Sequence, residues 1–281
     1  MNVIEVNNVS KRIKKFQLTN ISFHVEAGTI AGFIGQNGAG KSTTLKLLLN
    51  LLKPDEGELF ILGKNVADNE VDIKAQIGVV FDELHIPQHL TAKDINSLYR
   101  ELYPKWKTDT FYEFLERFDV PKYDAIKKMS KGMKAKLGII VALSYDPKVL
   151  LLDEPTSGLD PIVRDEVLEL LQTFMEQEDR AILISSHITS DLEKIADSIV
   201  FIHEGKILFH ENKDELQYGY GIWKGTHEEA KVIPNHAIIG KRDYVFGVEY
   251  LVQREFVSPV IELTKPTIDE LMLFFVRGRK R

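Results

Sequence analysis

The chain has 281 residues, 44% of them hydrophobic and 28% charged, which suits one or two domains with a substantial core. Its 42 acidic side chains outnumber 36 basic ones, and the net charge of −6 argues against a general binder of nucleic acid or of anionic membranes. With no cysteine, disulfides and thiolate metal sites are excluded; Met1-Asn2-Val3-Ile4-Glu5 lacks the basic-then-apolar pattern of a secretory signal, and no apolar stretch approaches the roughly 20 residues of a membrane helix, so the chain reads as soluble by itself, any membrane role falling to a separate partner.

Residues 1–30 alternate apolar and polar through Val3, Ile4, Val6 and Val9, then Ile21, Phe23 and Val25, a period near 2 that predicts antiparallel strands. Lys11, Arg12, Lys14 and Lys15 fall at the turn between them, as a solvated hairpin tip or beside a nucleotide's phosphates. Phe16 is either a buried strand residue or a platform for a purine base.

The apolar run Ile30-Ala31-Gly32-Phe33-Ile34 predicts a buried strand, and Thr43 to Leu52 has helical spacing. Between them stands Gly35-Gln36-Asn37-Gly38-Ala39-Gly40-Lys41-Ser42, which fills every fixed position of G-x-x-x-x-G-K-[ST] in the strand–loop–helix context that gives the pattern meaning. Glycines let the backbone turn tightly, so that several N–H groups point at one phosphate chain, and the helix N-terminus adds partial positive charge. Lys41 would neutralise β- and γ-phosphates, and the Ser42 hydroxyl would ligate Mg²⁺.

Lys53 to Glu58 reads as a turn, and Leu59–Gly63 and Ile77–Phe81 as strands. Residues 84–128 change character. A capping box at Thr91 to Asp94 opens a helix with Ile95, Leu98, Tyr99 and Leu102 on one face, Pro104 ends it, and Phe111, Phe114, Leu115 and Phe118 mark a second helix. Most of these aromatics belong in a core, and an exposed remainder would be a docking surface. His85 and His89 read as surface histidines.

Lys134 to Leu143 is a predicted helix, and Val149-Leu150-Leu151-Leu152 a buried parallel strand ending in Asp153-Glu154. Pro161 opens a helix through Met175, Ala181–Ile184 is the next buried strand, ending in Ser185-Ser186-His187, and Asp191–Ala196 is helical. Ile199–His203 and Lys206–His210 form a hairpin across Glu204-Gly205. From residue 211 the signal weakens, with Gly219, Gly221, Gly225 and Pro234 as punctuation and Tyr244–Gln253 as a strand. A second capping box, Thr267 to Glu270, precedes Leu271–Val276, so apolar all round that it needs a cover, and Arg277, Arg279, Lys280 and Arg281 form a basic tail.

Two acidic residues at the end of a buried strand, downstream of a glycine loop, suit nucleotide hydrolysis. Asp153 would hold Mg²⁺, Glu154 would polarise the attacking water, and His187 would meet the γ-phosphate.

With these motifs in this order, residues 1–210 resemble the nucleotide-binding subunits of ATP-binding cassette (ABC) transporters. Gly35 to Ser42 matches the Walker A loop, Met129-Ser130-Lys131-Gly132-Met133 stands at the signature L-S-G-G-Q, and Leu150 to Pro155 matches Walker B with its glutamate. Ser157-Gly158-Leu159-Asp160 matches the D-loop, and His187 the switch histidine. The resemblance implies a P-loop α/β core with an antiparallel N-terminal β-subdomain, a helical subdomain at about 84–145, and a small α+β appendage over 211–281. It implies ATP and Mg²⁺ as cofactors, with ATP bound by Gly35, Gln36, Asn37, Gly38, Ala39, Gly40, Lys41, Ser42 and Thr43, and the metal held by Ser42, Asp153 and Asp82. Glu154 and His187 would be catalytic.

It also implies a homo- or heterodimer sandwiching ATP between Walker A of one subunit and Ser130, Lys131 and Gly132 of the other, with Asp160 at the dimer face. Such a subunit serves a separate integral membrane permease on the inner face of the cell membrane, without nucleic acid. Three departures stand out: Lys131 and Met133 in the signature, Asp82 in place of glutamine, and Ile13 in place of the adenine-stacking tyrosine, a role open to Phe16. The signature variant, Asp82 and the appended segment resemble the Gram-positive branch that exports drugs, antimicrobial peptides or lipids. The alternative is a soluble ABC-type ATPase acting on ribosomes or DNA. Translation-factor relatives usually carry two cassettes and DNA-repair relatives a long coiled coil, neither of which this sequence contains. A non-catalytic regulatory cassette is argued against by the intact Glu154 and His187.

Overall fold

Strands rich in Val, Ile and Leu and buried on both faces organise the computed structural model, which describes residues 1–277. In chain order the strands are β1 (Asn2–Ile13), β2 (Phe16–Glu26), β3 (Ile30–Ile34), β4 (Glu56–Ile61), β5 (Lys64–Asn65), β6 (Ile77–Val80), β7 (Val149–Asp153), β8 (Ala181–Ser186), β9 (Ser198–His203), β10 (Lys206–Asn212), β11 (Tyr220–Gly225), β12 (Ile238–Tyr244) and β13 (Gly247–Gln253). The helices are α1 (Lys41–Leu48), α2 (Glu70–Lys74), α3 (Ala92–Leu102), α4 (Thr108–Arg117), α5 (Lys131–Leu143), α6 (Pro161–Phe174), α7 (Thr189–Ile195), α8 (Lys213–Gly219) and α9 (Ile268–Arg277).

The central sheet has the order β10-β9-β3-β8-β7-β6, parallel except for the β9–β10 hairpin at its edge. Its alternation builds two cores. Leu150, Leu152, Ile182 and Ile184 face one core together with residues of α5, α6, α7 and the helical insert. Val149, Leu151, Ala181 and Leu183 face the other, shared with α1 and with the antiparallel sheet β2-β1-β4-β5. The architecture is therefore the expected P-loop α/β core with an antiparallel N-terminal sheet. A third sheet, β11-β13-β12, carries its own small core around Trp223, Val248 and Val252 and forms the C-terminal appendage.

Both expected capping boxes form. Thr91 Oγ1 accepts from the Asp94 N–H and the Asp94 carboxylate accepts from the Thr91 N–H, and Thr267 and Glu270 repeat the exchange before α9. α9 is covered by its own chain: Ile268, Leu271 and Phe274 are buried, and the helix packs on α7 and β12. Of the basic tail, Arg279, Lys280 and Arg281 lie outside the described residues. His85 and His89 are exposed.

Several boundaries differ from expectation. α1 stops at Leu48, because Asn50 turns left-handed at φ 54°. β4 begins at Glu56 and ends at Ile61, where Leu62 and Gly63 make a positive-φ turn into β5. β6 ends at Val80, one residue before Phe81. α5 starts at Lys131 rather than Lys134, because Ser130 caps it; α7 starts at Thr189. The expected strand at Tyr244–Gln253 is a hairpin instead: Tyr244 ends β12, pairs with Gly247, and Val245-Phe246 form the tip.

Candidate active site

β3, every residue of it buried, delivers the chain to the glycine loop. Two glycines are required there by space. A side chain at Gly35 would meet the Ile202 carbonyl at 2.4 Å, and Gly40, at φ 122°, has no room against Leu18. α1 then begins at Lys41 with no acidic residue in its first turn, so its N-terminal partial charge is left free for an anion. Lys41 is 6% exposed; its Nζ donates to the Gly35 carbonyl at 2.7 Å and lies 3.2 Å from Glu154 Oε1.

A groove of about 400 Å³ runs over this loop. Gln36, Asn37, Gly38, Gly40, Lys41, Ser42 and Thr43 line it, together with Ile13, Phe16 and Glu154. Phe16 is thus half-buried and in the groove, not sealed in the core. Ala39 is buried, and its carbonyl accepts from the Gly205 N–H, which ties the loop to the β9–β10 turn.

Two carboxylates stand at the end of β7. Asp153, 8% exposed, accepts from Ser185 Oγ at 2.6 Å. Glu154 takes the left-handed conformation, φ 52°, which is strained for a side chain with a Cβ and common where geometry is imposed by a site. Its N–H donates to the Ser185 carbonyl at 3.1 Å and to Ser185 Oγ at 3.2 Å. Glu154 Oε2 lies 2.5 Å from His187 Nδ1 and accepts from the His187 N–H at 3.2 Å. Nδ1 is thus the ring nitrogen that His187 turns toward Glu154. Oε1 is buried and, among the described residues, has no partner beyond its ion pair with Lys41. Lys41, Glu154 and His187 therefore converge, with Ser185 on β8 holding the Asp153 carboxylate and the Glu154 backbone. Sequence reasoning assigned Ser185 no task; its one signal was a pair of hydroxyl residues, Ser185 and Ser186, closing an otherwise apolar strand.

Other predicted positions fall elsewhere. Ser130 caps α5, its Oγ accepting from the Met133 N–H at 3.1 Å, and Gly132 is pressed against Val163. Lys131 is exposed, has no ion-pair partner among the described residues, and lays its Nζ over Gly158. Asp160 is exposed and caps α6, accepting from the Ile162 and Val163 N–H groups at 3.1 Å each. None of these lines the nucleotide groove. Nor does Asp82, which is exposed and borders a separate cavity of about 450 Å³ with Phe81, Lys131, Pro155 and Ser157.

A glycine loop on a helix N-terminus, with a lysine facing a glutamate at the end of a parallel strand, defines a P-loop nucleotide hydrolase. The sequence matches the ABC transporter family over residues 18–157. It is 32% identical over 270 residues to the uncharacterized ABC transporter ATP-binding protein YhcH of Bacillus subtilis, covering 93% of this chain and 87% of that one. It is 38% identical over 192 residues to the bacitracin transport ATP-binding protein BcrA of Bacillus licheniformis, covering 67% and 62%. The lantibiotic transport ATP-binding protein SrtF of Streptococcus pyogenes is 34% identical over 215 residues, covering 75% and 92%. A solved ATP-binding subunit of an ABC transporter, 27% identical, superposes with a TM-score of 0.69 over 76% of this chain and 92% of that one. A dimeric ATP-binding cassette in a post-hydrolysis state, bound to ADP and phosphate, shares the fold at 22% identity, with a TM-score of 0.67 over 74% and 98%. The chain belongs to the ABC transporter family, as an ATP-binding, ATP-hydrolysing subunit. No helix among the described residues is long and apolar enough to cross a membrane.

Proposed function

We propose that two copies of this chain, or this chain and a second ATPase subunit, close around two ATP molecules and drive a separate membrane permease that exports peptides, drugs or lipids. The observation that carries the reading is the separation of two anion sites on one chain. Gly35 to Thr43 make the first, and the α5 N-terminus opened by Ser130 and Gly132 makes the second, on a surface where its own groove cannot use it. Lys131, without an ion-pair partner among the described residues, and the D-loop residue Asp160 are exposed there as well.

The donor set suits a hard divalent cation. The Ser42 hydroxyl and the Asp153 carboxylate are oxygen ligands of the kind Mg²⁺ takes beside phosphates, and Asp82 would join through water or after closure. Bound there, Mg²⁺ would neutralise charge on the phosphates. The chain's own residues would do the rest. Lys41 leaves its pairing with Glu154 for phosphate oxygens, Glu154 orients and deprotonates the attacking water, and His187 holds the Glu154 carboxylate in place beside the γ-phosphate. Residues 1–210 would form the cassette and 211–281 the accessory segment.

The permease would dock where α3 leaves Leu98 (45% exposed) and Leu102 (62%) uncovered beside the cavity behind Phe81 and Leu84. The names of the bacitracin and lantibiotic relatives support a peptide cargo. The chain would then sit on the cytoplasmic face of the membrane through its permease.

The test is Glu154→Gln, measured by phosphate release and by light scattering with Mg-ATP. Turnover should be abolished while ATP holds a stable dimer. A variant that stays monomeric at every ATP concentration overturns the sandwich. Recovery of a polytopic membrane protein with the tagged chain from solubilised membranes supports the transporter role; recovery of ribosomes alone overturns it.

A further inference from the structure

α6 and α7 link the D-loop stretch to the switch histidine. α6 starts directly after Asp160, and α7 starts two residues after His187. Two ion pairs join these helices. One, Asp165 with Lys194 at 2.8 Å, is on the surface. The other is half-buried, with the Arg164 side chain 26% exposed, and incomplete. Arg164 Nε faces Asp191 Oδ2 at 3.8 Å, and each of these atoms is buried without a hydrogen-bond partner. Asp191 is 2% exposed. A second nitrogen of Arg164, Nη2, reaches back to the Leu159 carbonyl at 3.5 Å.

A carboxylate oxygen taken out of water without a donor is costly, and so is an N–H left unbonded opposite it, because neither atom recovers its lost hydration. Charge-assisted N–H···O bonds close at about 2.8 Å. A shift of about 1 Å between α6 and α7 would therefore convert two orphaned groups into a bonded pair. The N-terminus of α6 is where such a shift would be driven. Val163, the neighbour of Arg164, presses on signature Gly132, and signature Lys131 lies over D-loop Gly158. Whatever seats on the signature and the D-loop pushes on α6. Asp191 stands four residues past His187, whose N–H and Nδ1 meet Glu154 Oε2, so a movement of α7 would reach that contact.

We propose that Arg164 and Asp191 form a latch, open in the single subunit, that closes when a second subunit seats on the signature and D-loop and that sets His187 against Glu154 for turnover. The latch rests on the sandwich reading above. Arg164 is in this view a positioning residue, acting through α7 and touching neither nucleotide nor water.

The test is a double-mutant cycle in the full chain: Arg164→Ala, Asp191→Asn and the pair together, with turnover normalised to folded protein. Each single change should lower kcat about ten- to a hundredfold, the loss expected from a catalytic group displaced by about 1 Å, while KM and the affinity for nucleotide stay within about twofold. The double variant should be no worse than the poorer single one. Arg164→Lys should recover part of kcat, and breaking the surface pair with Asp165→Ala should leave kcat unchanged. Wild-type kcat in folded Arg164→Ala, additive losses in the double variant, or a loss that vanishes on normalising to folded protein would each overturn the latch. Dimerisation is read separately in Glu154→Gln with and without Arg164→Ala. A dimer in both leaves the sandwich standing whatever the cycle shows, whereas no dimer in either removes the sandwich and with it the trigger of the latch.

Discussion

Ser185 Oγ donates to Asp153 Oδ1 at 2.6 Å, and the same oxygen accepts from the Glu154 N–H at 3.2 Å. One hydroxyl on β8 thus sets the rotamer of one carboxylate and the left-handed backbone of the next. Ser185→Ala would leave a nearly buried carboxylate oxygen without its donor, a loss of about 1–3 kcal/mol. We expect a lower melting temperature and a fall in kcat of about tenfold or more, because the Asp153 carboxylate loses its donor and the Glu154 backbone one of its two acceptors. The Mg²⁺ concentration giving half-maximal turnover should rise. An Mg²⁺ titration of ATP turnover with a thermal melt checks both. An unchanged Mg²⁺ dependence would mean that Asp153 is held by its strand alone.

Phe16 and Ile13 border the phosphate groove, and among the described residues Phe16 is the one aromatic side chain there. If Phe16 carries the base, Phe16→Ala removes a stacking surface worth about 1–3 kcal/mol. KM for ATP should then rise by about tenfold with kcat little changed, and Phe16→Tyr should restore it. Steady-state kinetics decide, and an Ile13→Ala variant with the larger KM effect would transfer the role.

The glycine loop, the Asp-Glu pair and the histidine were legible because each is a short run whose chemistry is fixed by its own residue types and by the strand before it. Runs such as Val149–Leu152 named the central sheet, since continuous β-branched and leucine residues have no other comfortable place than a strand buried on both faces. What stayed illegible depends on distant partners. Nothing around Ser185 says that Asp153 and Glu154 will stand beside it. Nothing local says that Arg164 will face Asp191. β11 and β12 carry weak alternation because Gly221, Gly225 and Gly240 interrupt them, so the third sheet becomes visible only through its pairing with β13. Helix ends were missed where a cap decided them, as Ser130 does for α5.

In the helical insert, Trp106 Nε1 donates to Asn96 Oδ1 at 2.8 Å, and both residues are buried. The indole also packs on Tyr99 and Phe111, with ring centroids 5.4 and 5.1 Å away. Asn96→Ala strands the indole N–H in this aromatic cluster, at about 1–3 kcal/mol. The melting temperature should drop by several degrees, about 2–4 °C for each kcal/mol. Both residues lie far in sequence from the nucleotide loop, so turnover well below the melting point should hold. A melt followed by tryptophan fluorescence measures the first and phosphate release the second.

His210 on β10 and His24 on β2 meet edge to face, ring centroids 4.7 Å apart. Burial first, and then the charge of His24, hold the His210 imidazole below its ordinary value of 6.5, with Glu26 pulling the other way. Released into the unfolded chain, His210 takes up a proton more readily than it does in the fold. Between its lowered native value and 6.5 the unfolded state binds more protons, so stability rises with pH there. The contribution is fully present above 6.5 and is lost as pH falls through that window. His210→Phe keeps a flat ring beside Phe23, whose centroid is 6.5 Å away, and removes the titration. The melting temperature of the native chain should therefore fall more steeply than that of the variant on going from about pH 7.5 to about pH 5.5. Equal slopes in parallel thermal melts would show that the His24–His210 contact yields to protonation without loosening β10 from β2.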